Sequence, residues 1–173
     1  MTELVSLTEM ASIFLRAEAA LPMASGRAIE KAADLVLEQI KSEPGEYQTG
    51  AGPFASWAPL AQSTLDDKAQ KGWPSPSPEL RSGDLRDSYE KTIVSHHEAH
   101  VGSNSDIAVY QELGTSKMPP RSIIGLAGAK KEHEIYKMTG RLFYGVLTSR
   151  YQRNGFSAWV GSGTHIPIPL TKI

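Results

Sequence analysis

Apolar positions recur at helical spacing over long stretches at both ends of this chain, and alternate less regularly over a short stretch between them. Near the start, Met10, Ile13, Phe14, Ala17 and Leu21 fall on one stripe, which predicts a helix over residues 6–21. Ser6 and Glu9 have the spacing of a capping box, in which hydroxyl and carboxylate each satisfy an orphan backbone N–H. Pro22 has no amide hydrogen and crowds the preceding turn, so a break is expected there. A second helix should then run from about residue 25 to 41. Ile29, Ala33, Val36, Leu37 and Ile40 form its apolar side, and Arg27, Lys31, Asp34, Glu38 and Lys41 its polar side. That division suits a helix lying on a core with one wet face.

Residues 43–59 read as loop, because Pro44-Gly45, Gly50, Gly52-Pro53 and Pro59 break any regular pattern. Phe54 and Trp57 within it are expected to fold back as a lid on the core. A short helix follows from about Gln62 to Lys71, with Leu60, Thr64 and Lys68 four apart. Three alternating prolines at 74, 76 and 78 favour an extended, solvated segment, a mobile loop or a contact arm. Leu80-Arg-Ser-Gly83-Asp-Leu85 turns into a short helix or a strand start, and residues 89–102 alternate as a hairpin. Asp106 is positioned to cap a short helix ending at Leu113.

The next stretch organises the chain. Gly114 is a helix stop that can take left-handed backbone angles. Pro119 and Pro120 then make a rigid elbow, and Arg121 stands at the mouth of the longest helical pattern, residues 122–147. The stripe there is Leu126, Ala129, His133, Tyr136, Gly140, Phe143 and Leu147, widened by Ile135, Met138, Leu142 and Val146. Beyond it, Asn154-Gly155 is a strong hairpin signal. Ile166-Pro167-Ile168-Pro169-Leu170 is an apolar arm that prolines disqualify as a central strand. Such an arm is expected to lie along a groove, of its own domain or of a neighbour.

Composition narrows the function classes. A chain of 173 residues can bury one substantial core. With no cysteine, thiolate catalysis, disulfides and cysteine-based zinc sites are excluded. A net charge of −1 gives no general attraction to nucleic acid or anionic membrane. The charge is uneven: residues 1–66 are acidic on balance and residues 122–150 basic. No apolar run approaches the roughly 20 residues of a membrane span, and the start lacks a signal-peptide pattern, so synthesis in a cytoplasm is expected.

No phosphate loop, nucleophile elbow, paired-histidine zinc motif or dinucleotide fingerprint occurs. No catalytic, metal-binding or cofactor-binding residues are therefore assigned. Two alternatives stay open. A nucleic-acid adaptor would use Lys130, Lys131, Lys137, Arg141 and Arg150, and a metal hydrolase would use His96, His97 and His100. On a strand His96 and His100 share a face while His97 points away, so solvent-facing histidines are the expectation.

Two ordered segments carry a resemblance. One comprises Phe54, Trp57, Pro59, Leu60, Thr64 and Lys68, followed by Gly83 and Leu85; the other comprises Tyr110, Glu112, Gly114 and Thr115 with Met118, Pro119, Pro120 and Arg121. In this order and spacing they resemble the tail-completion and minor tail proteins of tailed bacteriophages, including virion morphogenesis proteins of contractile-tailed phages. The resemblance covers about residues 25–147. It leaves the helix at 6–21 and the hairpin and arm at 148–173 as additions to a single domain. It departs after Arg121, where Ser122-Ile123-Ile124 stands in place of an aromatic run. The resemblance implies an α+β fold, with long helices packed on a small antiparallel sheet. It further implies a non-enzymatic virion protein of the tail or neck, assembling as a homo-oligomeric ring, with six copies as the leading expectation. Its implied partners are the tail tube or terminator and the head–tail connector, with DNA met only as the lining of a channel. Within that picture Tyr110 would anchor the joint between sheet and long helix.

Overall fold

The computed structural model describes residues 6–148. The fold is α+β. Its elements are α1 (Leu7–Ser42), α2 (Gln62–Gln70), α3 (Asp84–Asp87), β1 (Tyr89–Ser95), β2 (Glu98–Ser103), α4 (Asp106–Leu113) and α5 (Ile124–Leu147). Both long helices pack against each other, and both strands lie against α1.

The expected break at Pro22 does not occur: α1 is continuous over 36 residues. Its start is the capping box, with Ser6 N–H donating to Glu9 Oε2 at 2.8 Å and Glu9 N–H to Ser6 Oγ at 3.2 Å. Proline removes one intrahelical bond, here to a carbonyl one turn back on an exposed stretch that water can satisfy. Packing on both sides of it holds the helix together. Ala17, Ala24 and Ala28 are buried against Leu142 and Val146 of α5, with Ala20 beside them. Small side chains at that spacing let two helices approach closely. Ile40, at the far end of α1, joins Trp57, Tyr89, Ala108, Ile123, Leu126 and Ala127 in the larger core. The two clusters make α1 and α5 antiparallel.

On α5 the buried line differs from the sequence expectation by one position. Leu126, from the expected stripe, is buried, as are Ala127, Leu142 and Val146, with Ile135 and Met138 half-buried between them, whereas His133 and Tyr136 are exposed. The wider set containing Ile135, Met138, Leu142 and Val146 is thus the inner face. Both candidate stripes have helical period, and only the position of α1 chooses between them. Gly140 sits within an uninterrupted helix.

The hairpin pairs Tyr89 with Ser103, Lys91 with Val101 and Ile93 with Ala99, with a bulge between Ile93 and Ser95. His96 and His97 therefore lie in the turn and not on a strand, so no shared strand face joins His96 to His100. The ring of His96 rests where a Cβ on Gly26 would come within 2.9 Å of it. His100 pairs with Glu98 at 2.8 Å. Among the described residues no three His, Asp or Glu side chains gather as a metal site, and no helix is long and apolar enough to cross a membrane. Ser105, not Asp106, occupies the cap position of α4, without a side-chain hydrogen bond.

Candidate functional site

The elbow is built around a carboxylate, Glu112, to which the sequence pattern assigns no role. Glu112, on the last turn of α4, accepts hydrogen bonds from Ser122 Oγ and from the N–H groups of Ile123, Ile124 and Gly125, at 2.5, 2.7, 3.0 and 3.0 Å. Those amides are among the orphan donors at the start of α5, and a negative charge there is favoured by the helix dipole. Glu112 thus caps a helix that begins a dozen residues later.

Gly114 has φ 74° and ψ 179°. This is not the left-handed helical conformation expected from sequence but an extended positive-φ region essentially confined to glycine. The chain then closes on itself through paired Thr115 and Met118, and Arg121 N–H returns to Gln111 O at 2.7 Å. The buried Arg121 guanidinium donates to Ala58 O from Nε at 3.2 Å and from Nη2 at 3.1 Å, and to Pro59 O at 3.3 Å. Trp57 Nε1–H donates to Ser122 O at 3.1 Å. Phe54 lies so close to Gly125 that a Cβ there would approach its ring to 2.3 Å. The 43–59 loop is therefore the lid expected from Phe54 and Trp57, and Arg121 is its latch.

The proline segment is also tied down, contrary to the first of its two readings, a mobile loop or a contact arm. Lys68, 2% exposed, donates to Pro74 O at 2.9 Å, to Leu80 O at 2.6 Å and to Ser77 O. Three carbonyls use the three ammonium donors fully. Burial, followed by repulsion from Arg81, lowers the Lys68 pKa. Pro78 is fully buried. The cations of Lys71 and Arg81 stand over the Trp73 ring, at 4.9 and 4.5 Å from its centre. Thr64 is half-buried on the helix that carries Lys68. Leu60 N–H bonds Tyr47 OH at 3.1 Å. Gly83 supplies a φ of 100° before α3, and Leu85 packs on the core.

Two further acids lie beneath this joint. Glu43 meets Lys130 at 3.1 Å, and Lys130 also donates to Gln48 Oε1 at 2.6 Å. Burial raises the Glu43 pKa in spite of that cation. Lys130 is thereby engaged internally, which removes it from the basic surface considered for nucleic acid. Glu79 has a positive φ of 56° and faces Arg121 at 3.6 Å. Its Oε2, with Glu43 Oε2, Tyr89 OH and Gln111 Oε1, is buried without a hydrogen-bond partner. Burial pushes the Glu79 carboxyl up to about 7 from 4.5, Arg121 opposing.

A carboxyl whose folded pKa lies above its unfolded value binds protons more tightly in the native state. Its contribution is therefore most favourable below pH 4.5 and is lost as pH rises to about 7. Glu79→Gln is expected to reduce the decline in stability across that window relative to wild type, read as the difference in urea midpoints at each pH. Parallel curves for the two proteins would show that Glu79 titrates normally.

The outer side of the joint is apolar. Ile107, Val109, Tyr110 and Leu113 of α4 are all exposed, Leu113 at 74% and Tyr110 at 55%. Tyr110 is thus an outward-facing residue and not the anchor expected of it; Gln111 and Glu112 make the inward contacts. Beside this surface lies an open hollow of mixed character, lined by Leu113, Thr115, Ser116, Lys117, Met118 and Pro120. The structure brings Trp57, Pro59, Gly114, Pro120 and Arg121 together and seats Lys68 in the neighbouring loop. Thr64, Gly83 and Leu85 support from outside the joint. The residues Ile166, Pro167, Ile168, Pro169 and Leu170, the hairpin at Asn154-Gly155 and Arg150 lie outside the described residues. Comparisons with protein-family models, with characterised proteins and with solved structures gave no match to this chain.

Proposed function

We propose that this chain is a structural protein of a tailed-bacteriophage virion. It would act at the head-proximal end of the tail, as a tail-completion or neck component, through ring assembly and protein–protein contacts. One observation carries the reading: motif residues 63 positions apart in sequence, such as Ala58 beside Pro59 and Arg121, meet in a rigid joint whose outer side is an apolar shelf. Buried charges, Lys68, Arg121, Glu43 and Glu79, tie down the inside of that joint. A shelf of Ile107, Val109, Tyr110 and Leu113 beside a proline-stiffened loop suits contact with a neighbouring subunit, because the backbone beneath it loses little freedom on binding. Successive copies meeting head to tail would close into a ring by rotation, and the tail tube and connector are the proposed neighbours.

Light scattering with particle images tests this directly. The expected result is a closed ring, six copies in the leading case. Leu113→Ser, which leaves the buried joint intact, is expected to reduce it to single chains. Salt-sensitive duplex binding by the isolated protein would favour the nucleic-acid adaptor instead. Stoichiometric metal in the purified protein would favour the hydrolase.

A further inference from the structure

We infer that the projecting N-terminal turns of α1 are the seat of this chain's own residues 166–170. The face is defined by the mismatch between the long helices. α1 has 36 residues and α5 has 24. Because Val146 packs in the same cluster as Ala17, α5 ends where residues 7–16 of α1 are still to come, an overhang of about 15 Å. On that overhang Leu7, Met10 and Phe14 repeat at helical spacing with Leu15 beside them, exposed by 84, 43, 61 and 67%. Isolated apolar residues on a surface need no explanation, but a continuous stripe of this kind marks a contact.

Position and chemistry select the occupant. The chain leaves α5 at Thr148, next to the overhang, and 17 residues separate that point from Ile166. At about 3.3 Å per extended residue the tether reaches any point of the face. Tethering also gives the segment an effective concentration in the millimolar range, which favours it over a second copy. Ile166, Ile168 and Leu170 alternate with prolines that fix φ, so little ordering entropy is lost on docking. Pro167 and Pro169 cannot donate to a sheet edge and suit side-chain packing on a helix. Residues 149–173 carry Arg150, Arg153 and Lys172 with no acid, whereas residues 7–23 carry Glu9 and Glu18 against Arg16. The inference does not rest on the virion reading.

The chain contains no cysteine, so an engineered pair reports unambiguously. In the full chain, Ala11→Cys with Thr171→Cys places thiols beside the face and beside the arm without removing an apolar anchor. Oxidation is expected to give an intramolecular disulfide whose yield does not change with protein concentration. Adding Ile168→Asp should lower that yield about tenfold, since a buried side chain of this size contributes more than 1.4 kcal/mol. Disulfides that join two chains and increase with concentration would overturn the inference in favour of a second copy. A yield no higher than that of Lys117→Cys with Thr171→Cys, whose first thiol lies on the distant elbow, would overturn it outright.

Discussion

Gly114→Val is expected to destabilise the protein by about 3–5 kcal/mol, a large share of the stability of a typical domain. Two costs add. The backbone at φ 74° and ψ 179° lies where side-chain-bearing residues almost never sit. A Cβ would also stand 2.8 Å from Pro120 N, 2.9 Å from Met118 O and 3.0 Å from Pro120 Cδ. Two of those atoms are backbone and the third belongs to a rigid ring, so none can swing aside. Since the clash is with Cβ itself, Gly114→Ala should cost nearly as much as valine. Gly72→Ala is the comparison for the contact with Pro120. Its φ of 68° is similar, but nothing lies within 4 Å of the added carbon, so only the backbone term of about 1 kcal/mol remains. Urea midpoints of the three variants decide the matter. Equal midpoints for the alanine variants at 114 and 72 would mean that the close approach to Pro120 carries no energy.

The second large effect is expected at Glu112. Glu112→Ala leaves Ser122 Oγ and the amides of Ile123, Ile124 and Gly125 without their carboxylate, half-buried at the start of α5. Hydrogen bonds to a charged group contribute about 1.5–3 kcal/mol, and stranded donors cost more than bonds that were never made. A loss of about 3–4 kcal/mol follows. Glu112→Gln keeps the shape but offers an amide NH2 where one oxygen accepted, so it should recover less than half. Hydrogen exchange locates the damage: protection of the amides at 123–125 should fall in Glu112→Ala well before that of Ala24 or Ala28. Uniform loss across the chain would show that Glu112 contributes only to global stability and is not the local cap of α5.

Much of the fold was legible because its causes are local. The capping box at Ser6 and Glu9, the helix of Gln62–Gln70 and the turn glycine at 83 depend on neighbours within four residues. The lid role of Phe54 and Trp57 followed from the general fact that large aromatics seldom remain exposed. The continuity of α1 through Pro22 was not legible. One missing hydrogen bond was outweighed by an alanine stripe whose value depends on α5 lying opposite. The phase of α5 was ambiguous for the same reason, and Tyr110 was misassigned because its helix turns Gln111 and Glu112 inward instead.

The candidate site divides along the same line. Gly114, the two prolines and Arg121 stood out from sequence because each restricts or charges the backbone in a way that composition reveals. What they hold did not. Glu112 caps an amide group 13 positions away, and Lys68 closes on carbonyls up to 12 positions away. Glu79 and Glu43 are acids whose burial has no signature in hydropathy. By itself, then, the sequence determined the capped start of α1, most of the places where the chain must turn and which residues could stiffen the elbow, since those follow from torsional preference and local hydrogen bonding. Only the tertiary structure decided which charges are buried together, which apolar face is covered and which is left outward. Those outcomes depend on desolvation and contact between segments that the chain order keeps apart.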